Sequence, residues 1–262
     1  MVVKVFLKKT DYPGQEAFRE VEAISTLADN GLRVPKVVDM AQVDYLGRQN
    51  VVMVATEFAQ GQDYAGRIRS IAKEGLQPGS LERASRVDDL ADEAQKIGAE
   101  LSKMHRSGPV AGTATDIAYD HDTILTGLRE SFEKGEIDSQ MYEDAKLFLE
   151  KDFATIQDTA ISGRLTHGDF HGGNVFVNDR GEIAFIDSES VLWAIAGDGS
   201  SKGAAGNDVG RFLDNLEHRG NLAGLNQAEI TRLQDAFMQS YGRSSGLSPQ
   251  EVAATEYLYS LR

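Results

Sequence analysis

The sequence predicts an α+β fold of two lobes, a small one over residues 1–60 and a larger, mainly helical one over residues 61–262. Three observations carry this reading. Strand-like alternation dominates the first sixty residues, helical periodicity takes over after Gly61, and one short strand-rich island interrupts the helices between residues 164 and 187.

Taken in order, residues 2–7 alternate around Lys4 as a strand, and Asp11-Tyr12-Pro13-Gly14 supplies a turn. A helix follows, because Ala17, Ile24 and Leu27 fall on one face and Asn30-Gly31 makes a C-terminal stop. Residues 34–40 and 50–58 read as two further strands joined through Tyr45-Leu46-Gly47-Arg48. Beyond Gly61 the clearest helix carries Leu90, Ala94, Ile97, Leu101 and Met104 at four-three spacing and ends near Gly108. Two looser helical stretches, at about 121–134 and 139–157, are separated by Gly135. The island holds Val175-Phe176-Val177, a turn at Asn178-Asp179-Arg180-Gly181 and a second apolar run over 183–186, which is a hairpin pattern. Near the end, Asn226 with Glu229 forms a capping box ahead of Ile230, Leu233 and Phe237, and Ser248-Pro249-Gln250-Glu251 marks another helix start. There is no internal repeat, and the one low-complexity stretch is the Gly/Ser/Ala-rich segment 197–206.

A hydrophobic content of 41% over 262 residues supports a real core. Cysteine is absent, which removes disulfides, thiolate zinc sites and cysteine nucleophiles from the candidate mechanisms. The first residues are too soon interrupted by lysine for a signal peptide, and no apolar run approaches the ~20 residues of a membrane span. A soluble, cytoplasmic protein with no membrane partner is the expectation. A formal net charge of −14 opposes nucleic-acid binding and suits a cationic small molecule better. Oligomeric state is not readable.

The chemistry concentrates in His167-Gly168-Asp169-Phe170-His171-Gly172-Gly173-Asn174, polar or glycine at seven of eight positions yet set between apolar strand starts. If the hairpin folds back, Asp169, Asn174 and Asp187 bring two carboxylates and an amide oxygen toward one point. Hard oxygen ligands of this kind suit Mg²⁺ carrying a nucleotide, and the remaining carboxylate can orient a hydroxyl nucleophile.

His-Gly-Asp-x-His-x-x-Asn, a short hairpin and then Ile-Asp-x-Glu resembles the signature of aminoglycoside phosphotransferases and their choline, homoserine, fructosamine and methylthioribose kinase relatives. The resemblance implies a protein-kinase-like fold, a cofactor pair of Mg²⁺ and ATP (or GTP), and transfer to a small-molecule hydroxyl. It implies Asp169 as catalytic base, Asn174 and Asp187 as metal ligands, and His171 and His167 as structural or phosphate-adjacent positions. Glu189 matches the acidic position that often follows the metal-binding Asp. Lys4 matches the strand lysine that contacts the nucleotide phosphates, and Glu20 the helix glutamate that pairs with it. Independently, Glu20 lies in the apolar stripe of its helix, where an unpaired carboxylate would be costly, so it needs a partner and Lys4 is the natural one. Thr56-Glu57-Phe58-Ala59-Gln60-Gly61 resembles the segment between the lobes, which places Glu57 and Ala59 against the adenine. Leu101 to His105 resembles the long helix of the large lobe. Asp208-Val-Gly-Arg-Phe-Leu resembles the helix start whose Asp buttresses the catalytic loop, although an ordinary N-cap accounts for Asp208 equally simply.

Family members carry two strands and a nucleotide-covering loop ahead of the lysine strand, whereas three residues precede Lys4 here, so a truncated small lobe without that loop is expected. That departure keeps a second reading open, a degenerate kinase-like binding module. A third reading takes the alternating His167, Asp169 and His171 as one face of a metallohydrolase site. Nucleotide binding dependent on Mg²⁺ separates the first from the third. His105 and His218 read most simply as a helix-end and a surface residue.

Overall fold

The computed structural model describes residues 1–6, 15–45, 48–107, 117–156, 163–188, 190–191, 203–248 and 251. The turn at 11–14, Gly108, most of the segment 197–206, and Glu189 lie outside them.

The chain opens with β1 (Val2–Phe6), α1 (Gln15–Asp29), β2 (Val37–Tyr45) and β3 (Arg48–Thr56). β3 is the central strand, antiparallel to both neighbours, with Lys4 opposite Val54. Ala17, Glu20, Ala23, Ile24 and Leu27 form the buried stripe of α1 at three-four spacing. Its end has a mechanical cause. Gly31 takes φ 71°, and the N–H groups of Gly31 and Leu32 return to the carbonyls of Ala28 and Leu27 at 2.8 and 3.0 Å, a Schellman closure that only a residue tolerant of positive φ allows. The two strands expected at 34–40 and 50–58 extend further toward each other, because the pairing continues to Tyr45 opposite Arg48.

β4 (Gln62–Asp63) and α2 (Tyr64–Lys73) follow, then α3 (Leu81–Arg106), α4 (Ile117–Glu133), α5 (Ser139–Ile156), a 3₁₀ turn (Gly172–Asn174), β5 (Val175–Val177), β6 (Ile183–Phe185), α6 (Ala205–Leu222) and α7 (Gln227–Ser244). The second sheet runs β4-β5-β6, all antiparallel. β4 escapes sequence periodicity because two residues carry no period. Gly61, at φ 101°, makes it possible, since a Cβ there would fall 2.1 Å from the Val177 carbonyl oxygen. Asp63 then caps α2 by accepting from the Gly66 N–H at 2.7 Å. The expected capping box on α7 is present in both directions. Ser248 and Glu251 make the same reciprocal pair of bonds.

One correction concerns Asp208. α6 begins earlier than its N-cap reading required, at Ala205 after Ala204, so Asp208 lies inside the first turn. α3 and α7 pack so closely that a Cβ at Gly98 would sit 2.5 Å from the Phe237 carbonyl oxygen. Phe170, Phe185, Phe212 and Phe237 form a ring-to-ring chain through the large core, with centroids 4.6–5.4 Å apart along it. That core also takes Ala23, Leu27 and Leu32 from α1 and its exit, whereas Ala17 packs with Val52 and Val54 in a separate small cluster. Among the described residues, no helix is long and apolar enough to cross a membrane.

Candidate active site

Fully buried Phe170 pins the loop to the core and leaves the flanking Asp169 and His171 partly exposed. The loop's start is held from below. Backbone N–H groups of His167 and Gly168 donate to the two oxygens of Asp208 at 2.6 and 2.9 Å, which is the buttress that the resemblance implies. Burial alone would raise Asp208, but the bond from His105 and the neighbouring His167 outweigh it and hold the carboxyl below the usual range. His167 is itself buried, its pKa pushed down by desolvation, and its Nε2 donates to the Ile186 carbonyl at 2.9 Å. It thereby ties the loop to the residue before Asp187.

The far end of the loop closes on the same point. The Ile186 N–H donates to the Asn174 carbonyl at 3.0 Å, and Asn174 Nδ2 donates to the Asp169 backbone carbonyl at 3.0 Å and approaches Asp169 Oδ2 at 3.3 Å. The Asp169 and Asn174 side chains are thus in contact, and the strand end that carries Asp187 is tied to the same loop. Asp187 stands at φ 57°, the single positive-φ non-glycine among the described residues. Left-handed backbone at a non-glycine position is uncommon and concentrates at functional sites.

Lys4 lies across from this set. Its Nζ donates to Glu20 Oε1 at 2.7 Å and also pairs with Asp187 Oδ1. The expected Lys4–Glu20 ion pair is therefore present, with Glu20 only 2% exposed. Burial works against the Lys4 charge, but the hydrogen bonds to Asp187 and Glu20 prevail and raise it above the ordinary lysine value. Lys4, Glu20 and Asp187 line a cleft whose other walls include Val2, Ile24, Phe58, Phe176 and Ile186. Glu57 and Ala59 border it at the crossing segment, where Glu57 donates its N–H to the Lys36 carbonyl at 2.8 Å. His171 faces elsewhere. Its Nδ1 accepts from the Gly173 N–H at 3.0 Å, capping the 3₁₀ turn, and its Nε2 lies 3.8 Å from Asp169.

The histidine-aspartate face of the metallohydrolase reading does not form. Gly168 at φ 79° breaks the extended run, so His167 turns into the core while Asp169 and His171 stay at the surface. Among the described residues, no three His, Asp or Glu side chains cluster to hold a metal.

Three partners escaped the sequence reading. Arg211 Nη2 lies 2.7 Å from Asp169 Oδ1, and Asn215 Oδ1 accepts from the Gly172 N–H at 3.1 Å. With Asp208 they occupy positions i, i+3 and i+7 of α6, so one helix face grips the loop at three successive places. The third is His105, read as a helix-end residue. It is buried, its Nδ1 2.8 Å from the Tyr241 hydroxyl and its Nε2 3.1 Å from Asp208 Oδ2. Its signal was its place four residues after Leu101, on the apolar stripe.

Two small antiparallel sheets bracketing a cleft, with a mainly helical body that holds the 167–174 loop, make this a protein-kinase-like fold. The chain belongs to the phosphotransferase enzyme family, whose model matches residues 1–196. Similar solved structures include a glucosamine kinase, at 19% identity over all of this chain and 68% of that one, with a TM-score of 0.61. The same description with glucosamine, ADP and inorganic phosphate bound is matched at 18% identity over 93% of this chain and 64% of that one, with a TM-score of 0.59. A GDP and kanamycin complex of APH(2")-IIia is matched at 15% identity over 99% and 76%, with a TM-score of 0.56. The chain thus spans about two thirds of the glucosamine kinase chains. No curated protein matches it.

Proposed function

We propose that this protein transfers the terminal phosphoryl group of ATP or GTP to a hydroxyl of a small molecule. The observation that carries the reading is the contact of Asp169 with Asn174, tied through the Ile186–Asn174 bond to the strand end whose Asp187 lines a cleft with the Lys4–Glu20 pair. The apolar walls of the cleft suit a purine, with the backbone of residues 57–59 beside it, and Lys4 suits the phosphates. Residues 1–60 then act as the nucleotide-binding lobe and residues 61–262 as the catalytic and acceptor-binding lobe.

Mg²⁺ fits the residues present. Asn174 spends its Nδ2 on Asp169, which leaves the amide oxygen as a cation ligand, and Asp187 already holds the positive Lys4 ammonium against its carboxylate. When bound, the ion neutralises charge on the phosphate oxygens during transfer. Asp169 accepts the hydrogen bond of the acceptor hydroxyl, aligns it and takes its proton as the new oxygen–phosphorus bond forms and the bond from that phosphorus to the departing nucleoside diphosphate breaks. His167, buried and neutral, keeps the loop and Asp187 in register. ADP and glucosamine in one similar structure, and GDP and kanamycin in another, support a nucleotide and a polyhydroxyl acceptor without choosing among them.

The test is turnover and nucleotide affinity measured side by side, with ATP and GTP, over a panel of small hydroxyl compounds. Asp169→Asn is expected to lower turnover by roughly 10²–10⁴ and leave nucleotide affinity nearly unchanged. Full activity in that variant overturns the mechanism. Nucleotide binding without transfer to any acceptor would leave a binding module in its place.

A further inference from the structure

We infer that Arg211 sets the acceptor class, selecting a hydroxyl carried near a negatively charged group, carboxylate or phosphate, over one carried near an amine. The inference rests on the phosphotransferase reading and names the substrate class for that same site.

The argument starts from the two oxygens of Asp169. Oδ2 is approached by Asn174, which stands on the metal side through its link to Ile186 and Asp187. Oδ1 lies 2.7 Å from Arg211 Nη2 and is buried beneath it, so Arg211 covers the side of the carboxylate away from Asn174, and an acceptor that reaches this oxygen meets the guanidinium. Its position is fixed from below, because Asp208 one turn earlier and Asn215 one turn later are both bonded to the loop. The side chain is 46% exposed, which leaves it accessible to a ligand beside Asp169.

A guanidinium carries five donors in a planar fork that matches carboxylate and phosphate. One arm engaged by Asp169 leaves the rest of the fork directed at what binds beside it. An acceptor amine seeking Asp169 would instead meet a like charge within a few ångströms, and an anionic substituent would gain charge-assisted hydrogen bonds. The overall charge of −14, which suits a cation at long range, is screened beyond about 8–10 Å in salt, whereas Arg211 acts at contact. The local arrangement therefore decides the class.

The experiment uses matched hexoses differing in one group: glucose, glucosamine, glucuronate and glucose 6-phosphate. Dissociation constants are measured by calorimetry on the full chain saturated with Mg²⁺ and a non-hydrolysable ATP analogue, after nucleotide binding itself has been measured. Glucuronate or glucose 6-phosphate is expected to bind about five- to tenfold more tightly than glucosamine, and which of the two leads distinguishes carboxylate from phosphate. Arg211→Glu is expected to reverse the order, and Arg211→Lys to retain part of it. Thermal melting of each variant confirms folding. Preference for glucosamine in the parent, an order unchanged by Arg211→Glu, or no discrimination among the four, undetectable binding of all included, overturns the inference. Failure of nucleotide binding instead overturns the phosphotransferase reading beneath it.

Discussion

At the scale of single residues, Asp187 illustrates how backbone and chemistry are fitted together. Asp and Asn tolerate the left-handed region better than other side chains with a Cβ, so Asp187→Asn removes the charge without forcing the backbone to move. Calorimetry with and without Mg²⁺ is expected to show weaker magnesium-dependent nucleotide binding in this variant, and an unchanged magnesium dependence would take Asp187 out of the ligand set. His167 gives a second outcome, in stability. Its folded pKa lies below the ordinary 6.5, so the folded state resists protonation, and the stability this confers is intact above that pH and lost as pH falls through it. Asp208, also depressed, adds a loss of the same sign only further down, below its ordinary 3.8. Melting temperature should therefore drop between pH 7 and pH 5, and His167→Gln, which keeps a donor for the Ile186 carbonyl, should flatten that slope. An equally steep slope in the variant would assign the effect to other groups. The nearness of Asp169, Asn174 and the strand end carrying Asp187 was legible because they share one loop and one short hairpin, so sequence neighbours become spatial neighbours. Arg211 and Asn215 were not, because a polar stripe on a helix looks like a solvated face until the loop it grips is in place.

Among elements, the long helices were legible from their apolar stripes, and β4 was hidden by its length. The relation of α3, α6 and α7 lay beyond any periodicity, since it depends on residues more than a hundred positions apart. His105 sits at their meeting point and acts as a positioning residue, passing the placement of α7 through Asp208 to the loop. Tyr241→Phe tests this cleanly. The ring can keep its packing against Phe237 and His105, but the hydroxyl partner of His105 is lost. The unpaired buried nitrogen costs about 1–3 kcal/mol of stability. Turnover should fall while nucleotide affinity holds, and the pH profile of turnover should shift. Loss of stability with turnover and its pH profile unchanged would reduce the network to a packing role.

For the whole molecule, the proposed division into two functional lobes at residue 60 does not coincide with the way side chains are buried. α1 gives Ala17 to the small cluster and Ala23 and Leu27 to the large one. The Phe185 N–H also donates to the Arg33 carbonyl at 3.0 Å, joining β6 to the exit of α1. Calorimetric melting should accordingly show one transition, moved upward as a unit by ATP with Mg²⁺ in proportion to nucleotide saturation. Two separable transitions would mean that the shared helix does not couple them. The same sharing bears on how such a protein can be cut or recombined. Peptides 1–60 and 61–262 made separately would each carry an open wound, the first an apolar helix face and the second a socket missing two turns of helix. Mixing them should restore what neither holds alone. A graft of the nucleotide lobe from a relative would therefore have to bring along a matching socket, so the two halves are bound to change together over generations rather than be traded one at a time.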